Sequence, residues 1–223
     1  MEVYGTKPKI FTKQWWPYFW EYYKIHTFAV LFLVFMFGSI IHSNVTRIKY
    51  DLHISYIGLQ NFDENVQASF NNMVEPVIDE INGNDKLDID YMIYGIENPD
   101  QDGVVDEYEY SMNIKISAEL QVGDSYLYIL SKANADDLYG LSDCFENAEL
   151  LKADAESSDL LYDENGRAWA VSLRNNPQFA AMGIDSSELY VAVRFVYTKE
   201  QKNEERIKAH DNSIKAARQL IGA

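Results

Sequence analysis

The stretch YDLHISYIG, Tyr50–Gly58, decides how the chain folds. Its apolar residues occupy alternate positions, which is the period of two that a β-strand requires. Apolar residues then recur with helical spacing over residues 62–81, and the Asn-Gly-Asn at 82–84 ends that pattern. Alternation returns in LDIDYMIYG at 87–95. A strand, a helix and a strand of these lengths predict a right-handed parallel crossover, and therefore an α/β fold.

The same periodicities continue downstream. The near-continuous apolar run SYLYIL at 125–130 is typical of a strand covered on both faces, as in parallel sheets. The remaining patterns predict strands at 167–173 and 188–197, and helices at 105–121, 133–141 and 201–221. We predict one three-layer α/β domain with a mostly parallel five-stranded sheet.

An apolar segment precedes this domain. The 22 residues between Lys24 and Arg47 carry no formal charge, and Trp and Tyr are dense at residues 15–23. These features predict a transmembrane helix at 25–46 with an interfacial aromatic belt. A cleaved signal peptide is the alternative, but the leader is long and no small-x-small cleavage site follows the apolar run.

Charge is distributed unevenly along the chain. Its 223 residues have a net charge of −16; residues 1–49 hold six Lys and Arg against two acids, and residues 50–223 hold thirteen against 33. The lysines before the apolar segment favour a cytoplasmic leader, 1–24, and an extracellular domain, 47–223, of a single-pass cell-membrane protein. Nucleic acid is excluded as a partner, because a domain this acidic repels the phosphate backbone.

Residues that could carry chemistry are few. Cys144 is the single cysteine, so it forms no intramolecular disulfide, and none of the common nucleotide, hydrolase or zinc motifs occurs. We therefore predict no catalytic residue and no cofactor. Asp100, Asp102 and Asp106 are weak candidates for a metal site, but they do not match a calcium loop, and a solvated acidic loop is the favoured interpretation.

Ligands of open α/β sheets bind beyond the carboxyl ends of the strands. Backbone amides and Asn or Gln side chains at those ends would hold a small polar ligand or a loop of a partner. The candidate binding residues are Gly58, Gln60, Asn61, Gly95, Asn98, Asn134 and Asn175.

Three stretches resemble one lobe of the type II extracytoplasmic solute-binding proteins of ABC importers. They are YDLHISYIGL at 50–59, SAELQVGDSYLYIL at 117–130 and AVSL at 170–173. The chain is also similar to uncharacterised single-pass membrane proteins of Gram-positive bacteria with an aromatic-rich leader. The resemblance implies an extracytoplasmic binding domain, although a single lobe cannot close over a solute.

We therefore expect a non-enzymatic, membrane-anchored binding or interaction module, an accessory subunit of a membrane complex or transporter. Its partners would be the membrane and another membrane or cell-surface protein, with a small-molecule ligand as a further candidate. The alternative is a cell-surface hydrolase that uses paired carboxylates, because the domain is rich in them.

Overall fold

A computed structural model describes residues 8–46, 49–58, 62–96, 107–151 and 156–222. The chain divides into two units, Met1–Ile48 and Lys49–Ala223, which are described separately.

The first unit is dominated by one helix, α1, at Trp15–Thr46. Its 32 residues extend about 48 Å at about 1.5 Å per residue. Pro17 lies in the first turn, where its missing N–H costs no hydrogen bond. Within Trp15–Ser43, a window of 18 residues has a mean hydropathy of 2.0, and none of that window is buried by the rest of the chain. The helix is therefore long and apolar enough to span a membrane.

The second unit is a mixed α/β domain, as predicted. Its strands are β1 (Leu52–Ile57), β2 (Ile89–Tyr94), β3 (Leu127–Ser131), β4 (Leu160–Tyr162), β5 (Ala168–Ser172) and β6 (Leu189–Val193). Its helices are α2 (Glu64–Val74), α3 (Glu107–Val122), α4 (Lys132–Asp137), α5 (Gln178–Ala181) and α6 (Glu204–Ile221). Short 3-10 helices occupy Leu138–Cys144, Ala148–Leu150 and Ser157–Asp159.

The six strands form one sheet in the order β2-β1-β3-β6-β5-β4. The predicted parallel crossover is confirmed, because β1 pairs in parallel with β2 and also with β3. The expectation of a mostly parallel sheet of five strands is wrong. β6 is antiparallel to β3 and to β5, and β4 is antiparallel to β5. An apolar run marks a strand buried on both faces, and both kinds of pairing can produce one.

Two elements differ from the sequence pattern. β4 lies in a segment where the sequence pattern predicts no strand, and its three residues are too few to show alternation. α2 ends at Val74, so the apolar residues up to Ile81 that extended the predicted helix belong to the following turns.

The core lies on both faces of the sheet. Alternate side chains of β1 and β3 point to opposite faces, so Leu127 and Ile129 join one cluster and Tyr128 and Leu130 join the other. Residues of α2 and α6 cover the first cluster, and residues of α3 and α4 cover the second.

Candidate functional site

The predicted binding residues converge on one edge of the sheet wherever the structure describes them. β5 runs in the same direction as β1, β2 and β3, because it is separated from β3 by the antiparallel strand β6. Gly58, Gly95, Asn134 and Asn175 therefore all follow strands that end at this carboxyl edge. Outside the described residues lie the other candidates, Gln60, Asn61 and Asn98, and the acidic residues Asp100, Asp102 and Asp106.

Asn134 is buried at this edge and its amide group binds the protein itself. Its Nδ2 donates to the carbonyl oxygen of Ile96 at 2.8 Å and to Oγ of Ser131 at 2.8 Å. A longer contact, 3.4 Å, joins Nδ2 to the carbonyl oxygen of Ile57. Asn134 thus ties the ends of the three parallel strands together, which is a structural role.

Asn175 is also engaged within the domain. Its Nδ2 donates to Oδ2 of the buried Asp159 at 2.9 Å, and Nη2 of Arg174 lies 2.5 Å from the other carboxylate oxygen. The neighbouring Asn176, which the sequence did not single out, donates to the carbonyl oxygen of Leu220 at 2.8 Å. These contacts fix the loop after β5 to Asp159 on one side and to the end of α6 on the other.

The two glycines of this edge differ in the space around them. A Cβ on Gly58 would lie 3.0 Å from the hydroxyl oxygen of Tyr56, whereas a Cβ on Gly95 would meet nothing within 4 Å. Gly58 is thus needed for close packing, and Gly95 is open to solvent or to a partner. Their role in binding a ligand stays a prediction.

A polar network closes the opposite, amino edge of β3. The guanidinium of Arg194, which is fully buried, lies 4.4 Å from the ring centre of Tyr126 and 5.1 Å from that of Tyr197. It donates to the carbonyl oxygens of Ser125 and Gly123, at 3.1 Å each. A single cation inside the apolar sequence VAVRFV was the signal that could have identified this network.

Carboxylates balance the charge of Arg194. Nη1 of Arg194 lies 3.2 Å from Oε2 of Glu200, and Nη1 of Arg206 lies 2.5 Å from the other oxygen. Arg206 also pairs with Asp124 at 2.6 Å. Burial, with a hydrogen bond to Cys144, raises the pKa of the adjacent Tyr197 to about 12. The phenol therefore stays protonated and donates to the carbonyl oxygen of Leu120 at 3.1 Å.

His210 lies beside this network in α6. Its Nε2 is 3.3 Å from Oε1 of Glu146, and its ring packs edge-on against Tyr126 with 5.5 Å between ring centres. Burial lowers the pKa of His210, although Glu146 and Asp211 act in the opposite direction. His210 is thus a buried histidine of the domain core.

Asp51 organises a second network at the start of β1. Its buried carboxylate accepts hydrogen bonds from the backbone N–H groups of Ile81, Asn82 and Asp88 at 2.7, 3.2 and 2.8 Å. Nδ2 of Asn84 donates to Asp88 at 2.7 Å. The Asp and Asn residues of this loop therefore bind one another and the backbone. The described residues contain no group of three His, Cys, Asp or Glu arranged to hold a metal ion.

The other buried carboxylates have similar partners. Asp163 binds Nε of Arg167 at 2.9 Å, and its pKa is lowered by hydrogen bonds from the backbone and side chain of that residue. Asp159 and Glu200 bind arginines, as described above. In each case the partners are cations, amides or backbone N–H groups, which is the environment of a structural carboxylate.

The outer face of α3 is apolar, unlike the rest of the domain surface. Tyr110, Ile114 and Val122 are 62%, 53% and 62% exposed, and Ala118, also exposed, lies between them. These four residues, four apart, form one line along the helix. We call them the α3 stripe. It lies roughly opposite Ile116 and Leu120, which pack on the sheet. The spacing of the α3 stripe is visible in the sequence. Ile116 and Leu120, which face the core, have the same spacing, so the sequence alone did not single out the outer face.

The two edges of the sheet differ in how they are protected. β4 has three residues and an irregular register at Leu161 and Tyr162, which discourages pairing with another strand. β2 has six residues, IDYMIY, with Asp90 as its only charge, and Ile93 is 45% exposed. Such an edge can accept a strand from another chain.

Open depressions also lie on the described surface of the domain. One lies between residues 79–81 and α6, where Lys215 pairs with Asp79 and Nη2 of Arg218 donates to the carbonyl oxygen of Leu150 at 2.8 Å. The other lies at the start of α2, where Asp63 caps the helix by accepting from the N–H groups of Asn65 and Val66. In both depressions, these charged side chains bind other parts of the domain.

Comparison of the chain with protein-family models, with curated proteins and with solved structures finds no match.

Proposed function

We propose that this chain is a single-pass cell-membrane protein whose α/β domain is a non-enzymatic interaction module, an accessory subunit of a membrane complex. The α3 stripe is the observation that carries this proposal. Burial of apolar surface drives association of proteins, and a contiguous exposed apolar stripe is uncommon on a monomeric soluble domain. The unpaired β2 edge supports the same function.

The membrane anchor is α1. Phe32 and Phe35 are 66% and 78% exposed, and a lipid environment would remove their side chains from water. Four lysines precede the apolar segment and two cations, Arg47 and Lys49, follow it. This excess favours a cytoplasmic N-terminus and an extracellular domain.

The connection between anchor and domain is short. Five residues, 47–51, separate α1 from β1, and they reach at most about 18 Å when extended. Asp51 already belongs to the hydrogen-bonded network of the domain, so the free connection is shorter still. The partner of the α3 stripe is therefore a protein close to the membrane, such as another subunit in the same membrane.

The hydrolase alternative lacks an observation in its favour. A hydrolase needs two carboxyl groups facing each other across a cleft. The buried carboxylates of the described residues, such as Asp51 and Glu200, instead face backbone amides and arginines.

The test compares two single variants of the full chain in native membranes. Ile114→Glu places a charge in the α3 stripe, whereas Gln121→Glu places the same charge on an exposed polar position of the same helix. We expect the wild type and Gln121→Glu to co-purify with the same membrane proteins after mild solubilisation, and Ile114→Glu to lose them. Equal recovery from both variants, with equal thermal stability, would refute the role of the stripe.

Topology is tested separately. In a Cys144→Ser background, Lys9→Cys and Lys202→Cys place single thiols at exposed positions before and after the anchor. A membrane-impermeant maleimide added to intact cells should label Lys202→Cys only. Labelling of Lys9→Cys alone would reverse the orientation.

A further inference from the structure

The stretch that joins β6 to α6 exposes lysines at the amino edge of the parallel strands. β6 is antiparallel to β3, so it leaves the sheet where β3 begins. Residues 195–203 follow, with the sequence FVYTKEQKN, and both lysines, Lys199 and Lys202, are exposed. Glu200, the only acid of this stretch, is buried against Arg194. In a domain with more than twice as many acids as cations, this stretch therefore exposes positive charge only. We call residues 195–203 the lysine segment.

Aromatic side chains lie beside these lysines. The rings of Phe195 and Tyr197 pack edge to face with 4.6 Å between their centres, and both residues are partly exposed. Nζ of Lys199 lies 5.6 Å from the ring centre of Tyr197 and donates to the carbonyl oxygen of Gln121 at 3.3 Å. Lysine and aromatic side chains exposed together are typical of protein surfaces that lie at the level of lipid headgroups.

The lysine segment lies beside the point where the chain enters the domain. Nζ of Lys49 pairs with Oε1 of Glu205 at 2.8 Å, and Glu205 follows Lys202 by three residues. Lys49 is the first residue of the domain, and only residues 47 and 48 separate it from the end of α1. Two intervening residues reach at most about 11 Å. This limit follows from the length of the chain and holds for any orientation of the domain.

Chain length therefore keeps this edge of the domain close to the lipid headgroups. The predicted span, residues 25–46, extends about 33 Å, close to the hydrocarbon thickness of about 30 Å, so its end lies at the headgroups. An anionic membrane attracts cations and repels acids over a distance of about 8–10 Å. Glu205 has its own cationic partner. The remaining exposed charges of residues 195–205, those of Lys199, Lys202 and Glu204, are net positive.

We infer that the lysine segment lies on the membrane surface, where Lys199 and Lys202 bind the phosphates of anionic phospholipid headgroups. The anchor brings this edge of the domain to the lipid, and the two lysines determine which side of the domain faces it. The acidity of the remaining surface favours the same orientation, because the membrane repels it. The carboxyl edge, with Gly58 and Gly95, then faces away from the membrane. This inference rests on the proposed membrane anchor.

The experiment uses the full chain with Cys144→Ser, reconstituted in phosphatidylcholine vesicles with and without phosphatidylglycerol. A fluorophore is attached at Gln201→Cys, in the lysine segment, or at Gln178→Cys, at the start of α5; both glutamines are exposed. A nitroxide on the lipid headgroup quenches a fluorophore that lies at the membrane surface. With phosphatidylglycerol present, we expect at least twofold stronger quenching at Gln201→Cys than at Gln178→Cys. Without phosphatidylglycerol, this difference should decrease.

Charge reversal tests the two lysines directly. Lys199→Glu with Lys202→Glu should lower the quenching at Gln201→Cys at least twofold, and the milder pair Lys199→Gln with Lys202→Gln should lower it less. The matched control, Lys115→Glu with Lys132→Glu, changes the net charge equally at two exposed lysines outside the segment and should leave the quenching unchanged. Equal quenching of the two labels, or equal effects of the two charge-reversed pairs, would overturn the lipid contact and leave the anchor intact. Extraction of the wild type by carbonate would overturn the anchor and the lipid contact together.

Discussion

Arg194 and Glu200 form an ion pair in the interior of the domain, with 3.2 Å between Nη1 and Oε2. Arg194 directly follows the central strand β6, and Glu200 belongs to the turn that leads into α6. The pair therefore fixes where the last helix begins. A buried charge depends on its partner, because no water is available to replace it.

Removal of Glu200 should be far more costly than removal of a surface glutamate. Glu200→Ala leaves the guanidinium of Arg194 buried without its carboxylate, and we expect a loss of about 3–5 kcal/mol in the free energy of unfolding. The control is Glu205→Ala, which breaks an exposed pair with Lys49 and should cost less than about 1 kcal/mol. Urea unfolding followed by circular dichroism measures both. Similar losses would mean that the buried pair is not a stability determinant.

His210 should make the domain less stable in mild acid. Because burial lowers its pKa, the folded state keeps it neutral at a pH where the unfolded chain already binds a proton. The stability is complete above the unfolded pKa of about 6.5 and falls as the pH drops towards the folded value, by at most about 1.4 kcal/mol per unit of pKa difference.

The groups that face His210 are Glu146, Asp211, Arg194 and Tyr126. Urea midpoints at pH 7.5 and pH 5.5 should differ less in His210→Gln than in the wild type. His42→Gln, in the N-terminal helix, is the control and should keep the wild-type difference. An unchanged pH dependence in His210→Gln would exclude this histidine as its source.

Asn134 should stabilise the folded domain instead of binding a ligand. Asn134→Ala leaves buried carbonyl oxygens of two strand ends without their donor, and we expect a loss of about 1–3 kcal/mol in stability. Asn175→Ala removes one contact to Asp159, which keeps Arg174, and should cost less than about 1 kcal/mol. Thermal unfolding of both variants decides the question. Unchanged stability of Asn134→Ala would favour the predicted ligand-binding role instead.

The β2 edge should be the part of the sheet at which the domain aggregates most readily. Ile93→Lys puts a charge on the exposed edge strand, and we expect slower concentration-dependent aggregation of the fragment 49–223. Tyr162 on β4 is 42% exposed, similar to Ile93, so Tyr162→Lys is the matched control for the protected edge. Light scattering over time compares the two. A larger effect of Tyr162→Lys would place the vulnerable edge at β4.

The sequence predicted the elements whose periodicity is strong. Alternation in YDLHISYIG marked β1, and the apolar stripe near the C-terminus marked α6. Strand direction was predicted incorrectly for β6, because a strand with both faces buried is apolar whatever the direction of its neighbours.

The polar networks escaped prediction for a different reason. Nδ2 of Asn212 binds the carbonyl oxygen of Asp51, 161 residues earlier. No local pattern predicts such a contact, because it depends on how the whole chain folds. The same limit applied to Asn134, whose residue type suggested a ligand but whose partners are the ends of neighbouring strands.

The position of Asp51 has a mechanical consequence. Asp51 is the last residue before β1, and its carbonyl oxygen and carboxylate are bound to Asn212 and to the 81–88 loop. β1 itself is flanked by parallel strands on both sides. A pulling force applied to the N-terminal end of β1 would therefore load the hydrogen bonds to both neighbouring strands at once along their length, instead of opening them one bond at a time. Many hydrogen bonds must then break together, so the first strand of the domain is held in an arrangement that resists tension from its N-terminal end.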